Sequence, residues 1–276
     1  MNSVDTLYKF LVQNAPVMLI TGAGCSTDSG IPDYRDKTGG WKRPPPIHLS
    51  DFLSSKRAKQ NYWSRSMTGW PYFEAAKPNN VHAIITQLEK QGLISVIVTQ
   101  NVDDLHQQAG SKDVIPLHGS LSTVTCNECN KTYCRSSLQD RLCRENPEFV
   151  GLEVDPGPDG DSDLVGPNIS SFEIPFCESC GGTLQPDVVF YGGAVPKARV
   201  QLVRHGLDRS KAVLIIGSSV MVFSSYRICR TAHEQGKPLA ALNQGVTRAD
   251  HLLEFRVQKN AAQVLSAIHE RINTTL

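Results

Sequence analysis

Two Cys-x-x-Cys pairs stand out among the residues able to do chemistry: Cys126/Cys129 and Cys177/Cys180. Four thiolates can close a tetrahedral shell around one ion, typically zinc, and leave no position for water. That donor set describes a single structural metal site rather than a catalytic one. Residues 130–176, between the pairs, exceed ordinary zinc-ribbon spacing, so an insertion must loop out. A redox dithiol or disulfide pair is the competing reading. Cys25, Cys134, Cys143 and Cys229 are scattered. The opening segment MNSVDTLYKF has neither the apolar core of a secretory leader nor an Arg-rich transit pattern, which disfavours a disulfide framework.

The other polar candidates each follow an apolar run. Gly22-Ala23-Gly24-Cys25-Ser26-Thr27-Asp28-Ser29-Gly30 follows Val17–Thr21. Its glycines let the backbone turn sharply beside a pyrophosphate, and a following helix N-terminus would offer free N–H groups. A plain tight turn is the alternative. The segment continues Ile31-Pro32-Asp33-Tyr34-Arg35, and an arginine there can pair with phosphate in fork geometry. Gln100-Asn101-Val102-Asp103 offers amides and a carboxylate to an amide or ribose ligand, or a polar turn that caps a helix. His118, before Gly119, is suited to move protons near neutrality, or is a structural histidine. Gly217-Ser218-Ser219 and Asn243-Gln244-Gly245 can line the same crevice, or simply cap the helices after them.

Positioning such residues together requires a common scaffold. Val17–Thr21, Ile94–Thr99, Val114–Leu117, Val213–Ile216 and Leu239–Leu242 read as buried strands. Val81, Ile84, Ile85 and Leu88 form one apolar helix face, with Asn79 or Asn80 as cap and Gly92 as terminator. Tyr226–Gln235 and Ala261–Ile272 also read as helices. The alternation predicts an α/β fold: a Rossmann-like parallel sheet with helices on both faces and right-handed crossovers. Ligands of such sheets bind beyond the C-terminal strand ends, where all these motifs lie. The expected organisation is an NAD-binding domain formed by residues 1–35, 79–119 and 182–276, a helical insert and cofactor loop at 36–78, and a small zinc-binding module at 120–181. Within the module, Gly151–Asn168 is rich in Gly, Pro and Asp and reads as a loop.

Bulk composition excludes several classes. With 276 residues and a net charge of +1, the chain lacks the basic excess of a dedicated nucleic-acid binder. No apolar run approaches membrane-span length. The expectation is a cytoplasmic enzyme, or a mitochondrial matrix one if the chain is processed or trimmed; no oligomer is implied.

In the order GAGCSTDSGIPDYR, QNVD, LHG, paired Cys-x-x-Cys, PDVVFYGG, GSS and LNQG, these segments resemble the sirtuin family of NAD-dependent protein deacylases across nearly the whole chain. Asn61–Arg65 (NYWSR), Gly69–Phe73 (GWPYF), Gly157–Asp161 (GPDGD) and the long Cys-pair spacing resemble its class II branch, which includes the mitochondrial lipoamidase sirtuin. The resemblance implies an NAD crevice built from Gly22, Ala23, Gly24, Cys25, Ser26, Ser29, Gly30, Ile31, Pro32, Asp33, Tyr34, Arg35 and Trp41. Gln100, Asn101, Val102 and Asp103 would meet nicotinamide and its ribose; Gly217, Ser218, Ser219, Asn243, Gln244, Gly245 and Ala261 would serve the phosphates and adenosine. His118 would be the general base that activates a ribose hydroxyl, with nicotinamide, acyl-ADP-ribose and free lysine as products.

Acylated-lysine proteins or peptides would enter by strand addition between Val189, Phe190, Tyr191 and Gly192 on one side and Val220 and Val222 on the other. Tyr34, Val189 and Tyr191 would line the acyl tunnel. Tyr191-Gly192-Gly193 replaces the Phe-Gly-Glu of many members, and the Gly-rich insert is expected to fold toward the active site. No Tyr-x-x-Arg pair suited to an acidic acyl group is expected after Trp41; Arg43, Arg57 and Arg65 are the candidate partners of such a group. Acetyl, longer neutral groups such as lipoyl, and branched acidic groups stay open. Mono-ADP-ribosyl transfer to protein would use the same NAD site. A nicotinamide dehydrogenase fits less well, because Thr27 occupies the place of the third Gly in G-x-G-x-x-G. A non-enzymatic zinc ribbon leaves His118 and the glycine loop unexplained.

Overall fold

A computed structural model describes residues 3–164 and 168–275. Residues 1–2 of the opening segment and 165–167 of the Gly151–Asn168 loop lie outside them. Six strands form a parallel sheet: β1 (Val17–Thr21), β2 (Ile94–Thr99), β3 (Val114–Pro116), β7 (Ala212–Ile216), β8 (Leu239–Leu242) and β9 (Phe255–Val257). Their order is β3-β2-β1-β7-β8-β9. The expected five strands are present, and β9 is an addition too short to show a pattern of its own. Connections run outward in opposite directions from β1 and β7, so the sheet switches direction between them; a ligand crevice belongs there.

Alternation within the buried strands feeds two cores. Val17 and Leu19 of β1 pack with α1 (Ser3–Gln13), α4 (Asn80–Lys90) and α9 (Ala261–Thr275) on one face. Met18 and Ile20 pack with α7 (Lys197–Asp208) and α8 (Phe223–Glu234) on the other. Asn79 caps α4 as expected, its side chain accepting from the Val81 amide at 2.9 Å. The same Asn79 amide donates to the Cys25 carbonyl at 2.7 Å and so ties the helix to the glycine loop.

A second, antiparallel sheet was not legible in the sequence: β4 (Gly119–Cys126), β5 (Thr132–Cys134) and β6 (Leu184–Val188), in the order β5-β4-β6. The segment at 36–78 contains α2 (Leu49–Ser54) and α3 (Lys56–Ala75), and α6 (Arg135–Glu145) follows β5. Phe52, Trp63 and Met67 share one core with Val124, Leu138, Leu142, Phe149 and Leu184. Helical insert and cysteine module therefore form a single lobe. Arg135 stitches it, donating from buried Nη2 to the Ser66 carbonyl at 3.1 Å while its guanidinium lies 4.5 Å from the Trp70 ring centroid. Among the described residues no helix is long and apolar enough to cross a membrane.

Candidate active site

The C-terminal ends of β1, β2, β7 and β8 open into one cavity of about 1510 Å³ between sheet and lobe. Gly22, Ala23, Gly24, Gln100, Asn101, Val102, His118, Gly217, Ser218, Ser219, Asn243, Gln244, Gly245 and Ala261 all line it, as do Asp33, Tyr34 and Arg35. Val189, Phe190, Tyr191, Gly192 and Val222 line it too, and the Val189 amide donates to the His118 carbonyl at 2.8 Å. Cys25, Ser26, Ser29, Gly30, Ile31, Pro32, Trp41, Asp103 and Val220 do not line this cavity.

The glycine loop differs from its expected form. Two short 3₁₀ turns, Ala23–Cys25 and Thr27–Ser29, replace a helix N-terminus. Gly30 in the left-handed region (φ 87°) and Pro32 stop any helix from starting. Amides of Gly22, Gly24, Cys25 and Ser26 already donate to the carbonyls of Ile216, Gly217, Gly22 and Ala23. Gly24 is required for that closeness: a Cβ there would sit 2.8 Å from the Gly217 oxygen. The loop is thus packed against the β7 turn at the switch point.

Several expected contact residues form a layer behind the wall. Ser26 Oγ donates to Asp103 Oδ2 at 2.7 Å, and Asn101 Nδ2 donates to Ser26 Oγ at 3.0 Å and to the Gly22 carbonyl at 3.2 Å. Asp103 also accepts from the Leu105 amide at 3.0 Å and so holds the turn into α5 (Leu105–Gln108), whose N-cap position itself falls on Asp104. The Cys25 thiol is buried, donates to the Ile216 carbonyl and is pushed up by burial to about 12, which makes it a packing group and no nucleophile. Arg35 stacks on Trp41, 3.7 Å from the ring centroid, and donates to the Gly39 carbonyl at 2.7 Å, so part of its fork is spent within the loop. Trp41 also meets Tyr34 and Tyr191 edge-on and braces that loop from behind. Val220 is a β-branched residue held at φ 43°, a conformation it adopts only under constraint. Its buried side chain and a 2.8–3.2 Å class bond, Val220 N–H to Ser218 Oγ at 3.0 Å, supply that constraint and turn Met221 and Val222 to the cavity.

His118 is defined by its two ring nitrogens. Nδ1 lies 3.1 Å from the Gln100 carbonyl, which can only accept, so Nδ1 carries the proton. Nε2 is therefore bare and accepts from Ser224 Oγ at 2.8 Å. Burial pulls His118 down to about 4, against the Gln100 hydrogen bond and with help from the Arg199 charge, so the ring is neutral near pH 7. Gly119 (φ 92°) follows because a Cβ there would fall 1.9 Å from the Asp187 oxygen. Ser224 had no signal in the sequence beyond its place near the GSS turn.

Two more histidines sit below the floor. His106 Nε2 meets Thr21 Oγ1 at 3.0 Å, and the His82 ring lies 4.8 Å from that of His106. Burial lowers His82 to about 4 and His106 to about 3. Each of the three native values lies below the 6.5 of a free imidazole, so the unfolded chain takes up protons first on acidification. Their stabilising contribution is full above pH 6.5 and is lost as pH falls toward 4. Asp159 acts in the opposite sense: burial lifts it to about 7, so its contribution is present below 3.8 and lost as pH rises through 7. Three of the eight histidines are expected to keep their ring resonances unmoved between about pH 7.5 and about pH 5.5 in an NMR titration. Titration of all eight in that range would remove the neutral, bare-Nε2 description.

The cavity wall also carries Tyr62, to which the sequence reading gave no role, beside the expected Arg65. Tyr62-Trp63-Ser64-Arg65 is a Tyr-x-x-Arg pair after all, and i, i+3 spacing on α3 puts Tyr62 and Arg65 together on the cavity wall. Pro158–Asp161 of the insert also line the cavity, as the expectation of an inward fold required. Tyr34 hydroxyl bonds Asp159, and Arg65 pairs with Asp161. Arg43 lines the cavity, whereas Arg57 does not.

The four expected metal ligands converge. Sγ atoms of Cys126, Cys129, Cys177 and Cys180 all lie within 4.8 Å of one another, with Cys126–Cys180 at 3.5 Å and Cys129–Cys177 at 3.6 Å. A tetrahedron with Zn–S about 2.3 Å has S–S edges of about 3.8 Å, so the donor set fits one zinc ion with no ligand position left over.

Comparison with known proteins agrees with this geometry. The model of the Sir2 family matches residues 22–224. An NAD-dependent protein deacetylase of Xanthomonas axonopodis pv. citri (strain 306) is 47% identical over 264 residues, which is 96% of this chain and 90% of that protein. One of Bordetella bronchiseptica (strain ATCC BAA-588 / NCTC 13252 / RB50) is 44% identical over 268 residues, 97% of this chain and 98% of its own. A solved structure of Sir2 with p53 peptide and NAD⁺ has a TM-score of 0.77 at 25% identity and covers 99% of both chains.

Proposed function

Because the chain belongs to the Sir2 family, we propose that it is an NAD-dependent protein deacetylase whose acyl range extends beyond acetyl. The single observation that carries the reading is His118: a neutral imidazole with a bare Nε2 on the wall of the switch-point cavity. NAD held there would supply the ribose carbon that the acyl oxygen of the substrate lysine attacks as nicotinamide departs. His118 Nε2 would take the proton of a ribose hydroxyl as that oxygen adds to the acyl carbon; the acyl carbon–nitrogen bond would then break, releasing the lysine amine, and one water would be taken up to leave the acyl group on ADP-ribose. Ser224, which meets that nitrogen here, would give way to the ribose hydroxyl. Gln100 fixes the tautomer through its backbone carbonyl while its side-chain amide is held on Ser218 Oγ at 2.6 Å.

Acylated-lysine peptides are the proposed partners, entering beside Val189–Gly192 and Met221–Val222. The part of the cavity lined by Tyr62, Phe190 and Tyr191 supports room for more than two acyl carbons. Zinc is the proposed structural metal, held by Cys126, Cys129, Cys177 and Cys180. The test is to incubate the full chain with NAD and lysine peptides bearing acetyl, butyryl, octanoyl and lipoyl groups, and to follow peptide mass and nicotinamide. Loss of one acyl mass per nicotinamide released is the expected result, with the longer neutral groups among the substrates. NAD consumption with a mass gain on protein would identify ADP-ribosyl transfer instead. No NAD consumption with any peptide would overturn the reading.

A further inference from the structure

Arg65 poses a question that the deacetylase reading does not answer. A guanidinium on the wall of an acyl lobe would by itself recruit a carboxylate, because its fork matches two carboxylate oxygens. In this protein the fork is already filled. Nε donates to Asp161 Oδ1 at 2.8 Å and Nη2 to Asp161 Oδ2 at 2.6 Å, a bidentate pair. Asp163 stands 3.8 Å from the same Nη2 and pairs with Arg43 Nη1 at 3.0 Å. Asp159, bonded to the Tyr34 hydroxyl, lines the same lobe. Arg65 and Arg43 are thus each paired with a carboxylate of the insert before any ligand arrives.

The acids are delivered by a clamped loop. A Cβ on Gly69 of α3 would lie 2.4 Å from the Gly160 oxygen, so helix and insert touch backbone to backbone. Thr68 and Ser162 hydroxyls meet at 2.7 Å, and Ser162 Oγ donates to the Arg65 carbonyl at 3.0 Å. The Gly157 amide donates to the Asp161 carbonyl at 2.7 Å and closes the loop on itself. These contacts hold the Asp161 backbone beside Arg65, and the Ser162 amide donates to Asp161 Oδ1 at 2.9 Å, so the carboxylate is anchored from its own loop as well as by the guanidinium. Val102, Leu121 and Phe190 add apolar lining, alongside the uncharged Asn61, Tyr62 and Ser66.

Resting on the deacylase reading above, we propose that Asp161 sets the charge class of the acyl group: by occupying Arg65 it directs the lobe to uncharged acyl chains and against chains that end in a carboxylate. Arg65 is then a structural cation, and the Tyr62-x-x-Arg65 pair is not by itself a sign of acidic acyl substrates.

The test compares one lysine peptide carrying acetyl, pentanoyl or glutaryl, with NAD, in wild type, Asp161→Asn and Asp161→Asn/Arg65→Gln. Wild type is expected to prefer pentanoyl over glutaryl by about 10- to 100-fold in kcat/KM, the size of one charge-assisted hydrogen bond. Asp161→Asn should shrink that ratio at least about tenfold through a gain on glutaryl, and the double variant should lose the gain. Equal wild-type turnover of pentanoyl and glutaryl overturns the proposal without any variant, so it stays testable even if Asp161→Asn fails to fold. A folded Asp161→Asn with an unchanged ratio overturns it too. Failure of wild type on all three peptides, acetyl included, would instead overturn the deacylase reading.

Discussion

His118→Ala is expected to lower acyl removal by about 10²- to 10⁴-fold, the usual worth of a positioned general base. The argument runs through the two nitrogens. The Gln100 carbonyl cannot donate, so it pins the proton on Nδ1 and leaves Nε2 as the only basic atom of the ring. Burial keeps that atom unprotonated down to about pH 4, so the base form is available throughout the neutral range. Truncation to alanine removes the base and strands the Gln100 carbonyl, at a stability cost of about 1–2 kcal/mol, too little to unfold the chain. The two halves of the reaction should separate. In the proposed mechanism nicotinamide departs before the step that uses Nε2, so nicotinamide exchange should fall far less than acyl transfer. Acyl removal within tenfold of wild type would take the base role from His118.

What the sequence showed of this site, and what it hid, follows from the range of the interactions. Apolar runs such as Ile94–Thr99 and Val213–Ile216 announce buried parallel strands because, half-buried Ser95 apart, every residue in them is buried. Motifs after those runs were legible because the sheet itself gathers strand ends. The antiparallel sheet was not: β4 reads Gly-Ser-Leu-Ser-Thr-Val-Thr-Cys, with polar residues at half-buried positions and too little contrast to mark an alternation. The joint core of α3 with β4 and α6 has no local signature, since its partners lie far apart in the chain. The same holds for Arg65 and Asp161, which are 96 residues apart, and for His118 and Ser224, which are 106 apart. The Tyr62-x-x-Arg65 spacing was readable; that its charge is already spent on the insert was not. The glycine loop shows the reverse error. Its glycine pattern suggested a helix N-terminus, but Gly, Ser, Thr and Asp in succession, ending at Gly30 and Pro32, favour turns over helix.

Cys126→Ser is expected to cost the protein both its metal and most of its activity, although no cysteine of the cluster lines the cavity. Strand β4 is the physical link. It begins at Gly119, directly after His118, and ends at Cys126, so one extended segment joins His118 to the four-cysteine cluster. β4 has few apolar side chains with which to hold itself: Leu121 and Val124 are buried, while Ser120, Ser122, Thr123 and Thr125 are not. β5 has three residues, and the β4–β6 register breaks between Gly119 and Val124. A sheet this small is marginal without a staple. Structural zinc contributes about 10–16 kcal/mol in isolated zinc-finger peptides; even a loss of about 4 kcal/mol here lowers Tm by roughly 8–16 °C. Chelation of the wild type should reproduce the drop, and added zinc should restore wild type but not Cys126→Ser. His118 would then lose its fixed position between Gln100 and Ser224, and kcat should fall with Tm rather than KM rising alone. One equivalent of zinc in the purified protein is the accompanying expectation. A metal-free protein of full activity and unchanged Tm would return the four cysteines to a redox role and leave β4 held by its backbone ladder.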